Sequence, residues 1–596
     1  MAGMKVDRQP KNESGISRED QELIGKCNAV YKSYNDGTFK YRRQWYLNDN
    51  FYEGRHFVWW RKSTGTIDRI QPPKGMVLRS IPKASKAIDV IQNLILANDP
   101  RWVVYPEKDM EGNIGKEQEG IAKRSAEWLD FQWDRLNMRE ELGSLVHFAL
   151  KFPFSFIQVG FDTDIWVEVL DAFDIEFQPE VKTIYDSPVL IKTINKNIID
   201  VHNNLAYNEN RTKVVPTNRY TIDDMKDLRL VEKFGYHRTK DTDDTCMLKE
   251  YYFKEYVDGV DKDGEKIKEI KIRIVTIANE SILLRNELTE MTEYPFVMYA
   301  PKSGSLFQPA WLERMIPVNK SIDLITSNIE TFFHIMNRGY WIKHKNANVT
   351  RIMNESGQFI EWDVVKPEQA TLASIPAYVF AHMANLERWI SEQSVSSATM
   401  GQSMKGVKAY KAIEAAKQSD FAQMGTSINR LETVIEKVAE VMLDYAERYY
   451  KEPRHVYRLH EEKPDYFDVV GANFRGESTD AIPLKASYKV DVSIESGLAY
   501  TEEGKRQTML ELYSAGLVPA DKVLEMFKFS NVGELIRAAQ ADKQVSMIDT
   551  QDFKALDPQI QQLALQDLMK KNITMPQNPQ PEKMQFRQRS KRNTGK

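Results

Sequence analysis

Residues 303–330 read SGSLFQPAWLERMIPVNKSIDLITSNIE. After the breaking run Pro301-Lys302-Ser303-Gly304, the apolar residues Trp311, Met315, Val318, Ile322, Ile325, Ile329 and Phe332 recur at alternating steps of four and three. That spacing lays one apolar stripe along a helix. The stretch is too short for an extended coiled coil by itself, so the stripe predicts a helix covered by neighbouring helices.

Downstream, helix signals lapse over residues 337–376, where 340–343 and 358–364 suit short strands and Gly339, Gly357 and Pro367 act as breaks. This reads as a small αβ insertion. Helical pattern returns over 378–392, then yields to a polar loop at 393–408 with Gly401 and Gly406. The longest element follows at 409–450, where Met424, Ile428, Leu431, Ile435, Val438, Met442, Tyr445 and Tyr449 again alternate steps of four and three. At about 1.5 Å per residue it would span roughly 60 Å, with Gly425 as a weak point. Strand residues fill 481–494, helices divided by Gly516, Pro519, Asn531 and Pro558 fill 501–570, and the chain ends in a basic, Pro- and Gln-rich tail expected to be disordered.

Upstream, a polar segment 1–20 precedes two helices over 21–53, expected to part at Asn35-Asp36-Gly37, a turn-favouring combination. Trp45, Tyr46, Phe51, Tyr52, Phe57, Trp59 and Trp60 then crowd together. Aromatics are large core anchors first, so core packing outweighs base stacking here. Helices are expected at 84–97 and 117–136, short strands between 155 and 177, and a meander over 248–284 with turns at Asp258-Gly259 and Asp263-Gly264. The class is α+β, mainly helical.

Composition narrows function. Hydrophobic residues make up 42% and charged residues 28%, as in an ordinary folded protein, and 82 basic against 86 acidic residues leave a net charge of -4, unlike a protein that coats phosphates. Cys27 and Cys246 are the only cysteines, which excludes a disulfide framework or a four-cysteine zinc site within one chain. No run of about 18 uncharged apolar residues offers a membrane span, and no apolar amino-terminal core suggests a signal peptide. A soluble protein in a reducing compartment is expected.

Motifs for chemistry are absent. There is no HExxH or CxxC spacing. Residues 112–116 imitate a phosphate loop but continue into Glu117, where a hydroxyl should meet magnesium. Residues 258–265 miss the alternating oxygens of a calcium loop and suit a hairpin turn. Asp171 and Asp174 form an acidic pair without a local nucleophile or oxyanion site. No cofactor, metal or catalytic residue is expected. Lys405 and Lys408 in the polar loop, and Lys343, His344, Lys345 and Arg351 in the insertion, are isolated basic residues that by default serve solubility.

The order helix, αβ insertion, second helix, glycine-containing loop, long helix resembles the plan of bacteriophage portal proteins. Local stretches resemble that family too: FYEGRHFVWW at 51–60 and IDVIQNLILANDPRWVVYPE at 88–107, both most like portals of short-tailed phages, the 303–330 stretch, and YKVDVSIESGLAYTEEGKRQTMLELYSAGLVP at 488–519. The likeness is nearly end to end but rests on order and spacing, without one diagnostic motif.

The resemblance implies a non-enzymatic, ring-forming portal fold. Its regions would be a wing at 21–305, a stem helix at 306–335, a clip at 336–375, a second stem helix at 376–392 and a tunnel loop at 393–408. A long wing helix at 409–452, wing strands at 453–500, crown helices at 501–570 and the tail at 571–596 complete it. It further implies a homo-dodecamer at one capsid vertex of the virion, assembled in the host cytoplasm, around a channel for double-stranded DNA. Lys405 and Lys408 would face DNA, Lys343, His344, Lys345 and Arg351 would meet partners at the clip, and Met315, Val318, Ile322, Ile325 and Ile329 would pack between subunits. The partners implied are the terminase large subunit, which supplies ATP hydrolysis, a tail adaptor, the major capsid protein and the scaffold; no membrane is involved. The alternatives are a phage-derived metal-dependent nuclease or nucleotidyltransferase, or another structural capsid or tail protein.

Overall fold

The computed structural model describes residues 17–494 apart from 62–65, 74, 97–99, 107–114, 217–244, 261–265, 303, 339, 343–367, 371–374, 395–409, 461–462, 472–480 and 486–487. The chain divides into two units, Met1–Tyr500 and Thr501–Lys596, and every described residue belongs to the first. The expected crown helices, the basic tail and nearly all of the 393–408 loop therefore lie outside the described residues.

Helix α1 (Arg18–Tyr52) starts where Ser17 accepts a hydrogen bond from the Asp20 amide, with Glu19 and Asp20 in the first turn. It is one helix, not two. The expected turn at Asn35-Asp36-Gly37 is helical because side chains bridge it: Thr38 Oγ1 donates to Tyr34 O at 3.0 Å and Arg42 donates to Asn35 Oδ1 at 2.9 Å. Gly37 serves a close approach instead, since a Cβ there would lie 2.6 Å from Pro179 Cγ.

Being long, α1 crosses two cores. Ile24, Cys27 and Tyr34 pack with Val189, Ile191, Tyr251, Val275 and Ile277. Trp45 and Tyr46 enter an aromatic cluster with Phe152, Phe154, Phe156, Phe173 and Phe177, so the crowded aromatics are mainly core. Trp45 meets Phe154 and Phe173 edge-on, at 5.5 and 5.6 Å between centroids.

A hairpin of β1 (Val58–Arg61) and β2 (Thr66–Arg69) leads to helix α2 (Lys83–Ile95), strand β3 (Pro100–Tyr105), and helices α3 (Lys116–Arg135) and α4 (Met138–Lys151). Strands β4 (Ser155–Phe161), β5 (Ile165–Leu170) and β6 (Ile175–Glu176) follow, then β7 (Val189–Asn197), the short helix α5 (Ile198–Asn203), β8 (Thr245–Val260), β9 (Lys266–Ala278), β10 (Ile282–Leu288) and β11 (Phe296–Tyr299). One antiparallel sheet has the order β10-β9-β8-β7-β6 and another β11-β4-β5.

Strand β8 runs straight through Asp258-Gly259, which the sequence marked as a turn, because Gly259 stays in register with Ile267. The other expected turn, Asp263-Gly264, lies outside the described residues, between β8 and β9; the turn between β9 and β10 uses Asn279 and Glu280, both left-handed at φ 48° and 60°. Asp171 and Asp174 are structural: the Phe173 amide donates to Asp171 Oδ1 at 2.8 Å and the Asp171 amide to Asp174 Oδ2 at 3.3 Å. The two sheets are tied by Lys192 on β7, whose buried ammonium donates to Gln158 on β4 at 2.5 Å and Glu168 on β5 at 2.6 Å.

Helices α6 (Trp311–Arg338), α7 (Ala377–Gln393) and α8 (Tyr410–Tyr449) supply the other layer. The largest core gathers Ile88 and Ile91 of α2, Leu145 and Val146 of α4, Met315 and Ile322 of α6, Leu386 of α7, and Leu431, Ile435 and Val438 of α8. Helix α8 is continuous through Gly425. Between α6 and α7, β12 (Tyr340–Ile342) pairs antiparallel with β13 (Glu368–Ala370). The partner strand begins just after Pro367, and the strand expected at 358–364 lies outside the described residues.

After α8 come β14 (Arg454–His460), β15 (Lys463–Val470) and β16 (Ile482–Pro483), then β17 (Lys489–Ile494). The last pairs with β3, tying the end of the described chain to a strand near its first fifth, and Val490 and Val492 turn into the main core beside α8.

Candidate functional site

The best-defined candidate surface is the α6–α7 pair with what braces it. The loop before α6 is closed by Lys302, whose ammonium donates to Pro309 O at 2.6 Å and lies over the Trp311 ring at 5.3 Å. Burial, with Arg314 nearby, pushes this amine down to about 8. Glu313 in the first turn accepts from Asn48 Nδ2 of α1 at 2.9 Å.

The apolar stripe divides along α6. Met315 and Ile322 are enclosed by the chain's own residues, Val318 and Ile325 are partly buried against the same core, and Ile329 is half-buried. The cover is α2, α4 and α7 of the same chain. Leu324, on the side away from the stripe, and Phe333, nine residues on and so half a turn round the helix, are 50% and 54% exposed.

Helix α7 repeats the pattern. Leu386 and Ile390 form a narrow buried stripe, whereas Tyr378 and Trp389 are 73% and 42% exposed on an outer face where His382 meets Trp389 edge-on at 6.5 Å. Lys83 of α2 and Glu387 of α7 pair at 3.2 Å. Apolar side chains on both faces of a helix call for cover on both, and the described residues supply it on one.

A third face of α6 is polar. Asn319, Asp323, Ser327 and Thr331 stand four residues apart, one turn each, and face the extended segment 76–82. Asn319 Oδ1 accepts from the Ala84 amide at 2.9 Å, Asp323 Oδ1 from Ile81 at 2.8 Å, Ser327 Oγ from Arg79 at 2.9 Å and Thr331 Oγ1 from Val77 at 3.0 Å. Asn319 Nδ2 donates back to Ile81 O at 3.0 Å. Four helical residues rise about 6.0 Å and two extended residues about 6.6 Å, so the ladders run nearly in step. The helix thereby acts as a surrogate strand edge for backbone groups that must be paired.

Asp323 also takes the buried imidazole of His56, Nδ1 to Oδ2 at 2.6 Å, and that ring stacks on Phe51 at 3.9 Å between centroids. The aromatic crowding gave no hint of this pair. The Asn-x3-Asp-x3-Ser-x3-Thr spacing was legible in the sequence but lay in the shadow of the apolar stripe.

Lys343, His344, Lys345, Arg351, Lys405 and Lys408 lie outside the described residues. Among the described residues no group of three or more His, Cys, Asp or Glu side chains could hold a metal ion, and no helix is long and apolar enough to cross a membrane.

Residues 341–591 match the family described as Phage P22-like portal protein. The matched stretch is somewhat under half of the chain and includes α7 and α8. That family is one of structural, non-enzymatic proteins, and the match supports a phage portal protein. No curated protein matches the chain.

Proposed function

We propose that the chain is the subunit of a phage portal, a dodecameric ring at one capsid vertex whose axial channel passes DNA during packaging and ejection. The observation that carries this reading is the portal-family match over residues 341–591. It is supported by the helical pair α6–α7, on which Leu324, Phe333, Tyr378 and Trp389 are exposed among the described residues. A closed ring would give each such face a neighbour.

In this reading α6 and α7 are the stem, and the insertion between them is the clip. Val318, Ile325 and Ile329 join Leu324 and Phe333 at the contact between subunits, while Met315 and Ile322 brace that surface from beneath. Lys343, His344, Lys345 and Arg351 meet the terminase large subunit or a tail adaptor. Lys405 and Lys408 touch passing DNA at its phosphates, weakly and without reading sequence, as a conduit for every sequence requires. Capsid and scaffold proteins surround the ring, as in a short-tailed phage.

Electron microscopy of the purified protein, with mass photometry alongside, tests the reading. Closed rings with an axial hole are expected. A stable monomer across micromolar concentrations sinks it.

A further inference from the structure

We propose that the extended segment 76–82 is a releasable strap, and that α6 beyond Pro317, carrying α7, swings about that proline when the strap lets go. This inference concerns one chain and does not depend on the ring.

Pro317 lies inside α6 and has no amide to donate, so one helical hydrogen bond is missing there and its ring crowds the preceding turn. Such a position is where a helix bends. On the near side of it Leu312 and Met315 are fully buried and Glu313 is held by Asn48. That part is anchored.

The far side is held differently. Among its described residues Ile322 is the one fully buried apolar side chain, and the other buried ones, Asn319, Asp323 and Ser327, are polar; all three bond to the strap or its end, and Asp323 also pairs with His56 of the loop after α1, a polar contact that the swing must break as well. The strap itself is half-buried or exposed from 76 to 82. When it lifts, water can reach both halves of each rung, so release costs far less than opening an apolar core. Helix α7 rides on this part of α6, touching it through Thr326 and Met383, and among the described residues it meets the body through Leu386, Ile390 and the Lys83–Glu387 pair.

The test is a distance measured by pulsed electron resonance between spin labels at Glu140→Cys on α4 and Ala384→Cys on α7, both exposed. Cys27 and Cys246 are buried and stay unlabelled. The otherwise unchanged chain should give one narrow distribution. Ser327→Ala with Thr331→Ala, which removes two rungs and no apolar contact, should add a second, displaced population. Adding Pro317→Ala, which restores the amide and stiffens the bend, should abolish that population.

A distribution indifferent to loss of the rungs overturns the strap. A second population that survives Pro317→Ala overturns the hinge. Circular dichroism reports whether the double variant folds; if it does not, Thr331→Ala alone, at the open end of the ladder, must broaden the distribution or the proposal fails.

Discussion

His56 and Asp323 meet at 2.6 Å, Nδ1 to Oδ2, with each side chain 1% exposed, and through this contact the loop after α1 grips the middle of α6. The same carboxylate accepts from the Ile81 amide and from Asn319 Nδ2 at 3.1 Å. Asp323→Ala removes the acceptor shared by these three donors. Each buried donor left without its partner costs about 1–3 kcal/mol, so stranding three should cost more than stranding one. Asp323→Asn retains one acceptor and should cost roughly 1–3 kcal/mol. Urea unfolding at neutral pH distinguishes them; equal losses would mean that Asp323 acts by volume alone.

Glu280 holds a left-handed backbone at φ 60° while its carbonyl accepts from Asn28 Nδ2 at 2.8 Å and its carboxylate pairs with the buried Lys249. Lys249 also sits over the Tyr31 ring at 3.3 Å. Glycine would relieve the backbone by about 1 kcal/mol, yet Glu280→Gly should destabilise, because it removes the carboxylate facing a buried ammonium. Lys249→Met added to Glu280→Gly should recover most of the loss. Thermal unfolding of the two variants checks this, and a Glu280→Gly chain more stable than the parent contradicts it.

Burial lowers His147 from its ordinary 6.5 to about 4, with Lys151 adding to the effect and Asp89 and Asp49 opposing it. Its Nδ1 lies 3.1 Å from Gln92 Oε1 and its ring meets Tyr52 edge-on at 4.9 Å. Between those two pH values the unfolded chain takes up a proton that the folded chain does not, so stability falls as pH is lowered through this window. Glu141, Glu440 and Asp444, whose carboxyls burial raises, act in the opposite sense near its lower end. The difference between the parent and His147→Gln isolates the histidine: the variant should lose less stability between pH 6.5 and 4, and parallel curves would refute the assignment.

Gly37 separates local preference from tertiary contact. In a helix interior, alanine should gain about 0.5–1 kcal/mol over glycine. Here its Cβ would meet Pro179 Cγ at 2.6 Å, so Gly37→Ala should destabilise. In a Pro179→Ala background the same change should become neutral or stabilising. Denaturation midpoints of the four chains close the cycle.

Leu324→Glu with Phe333→Glu changes two exposed side chains. The fold should keep its stability to within about 0.5 kcal/mol, as for ordinary surface positions. Ring assembly should be lost, because each glutamate would enter an apolar contact unpaired. Mass photometry of the folded variant decides; rings formed as readily as by the parent would remove these residues from the subunit contact.

Periodic elements were legible. Helices α2, α3, α6, α7 and α8 lie within a few residues of where apolar spacing put them, because each buries one continuous stripe. Turn signals misled where long-range contacts outvoted them: Gly37 answers to Pro179, and Gly259 to its partner Ile267. The pairing of β3 with β17 joins residues almost four hundred positions apart, and neither strand's sequence names the other. At the candidate surface, the stripe from Met315 to Ile329 was readable, but which part its own chain would cover was not. That depends on α2 and α4, which meet α6 only in the folded molecule.

Strands β12 and β13 are three residues each, and their pairing sets Ile342 beside Glu368. What lies between them in sequence therefore leaves and returns at one spot. Loop-closure entropy rises slowly, by about 0.6 kcal/mol per doubling of length, so residues 343–367 can be lengthened, shortened or rewritten with little strain on α6 or α7. If the proposed clip reading holds, the stretch between them is a replaceable cartridge on a fixed mount, and a lineage could exchange it while keeping α6 and α7 intact.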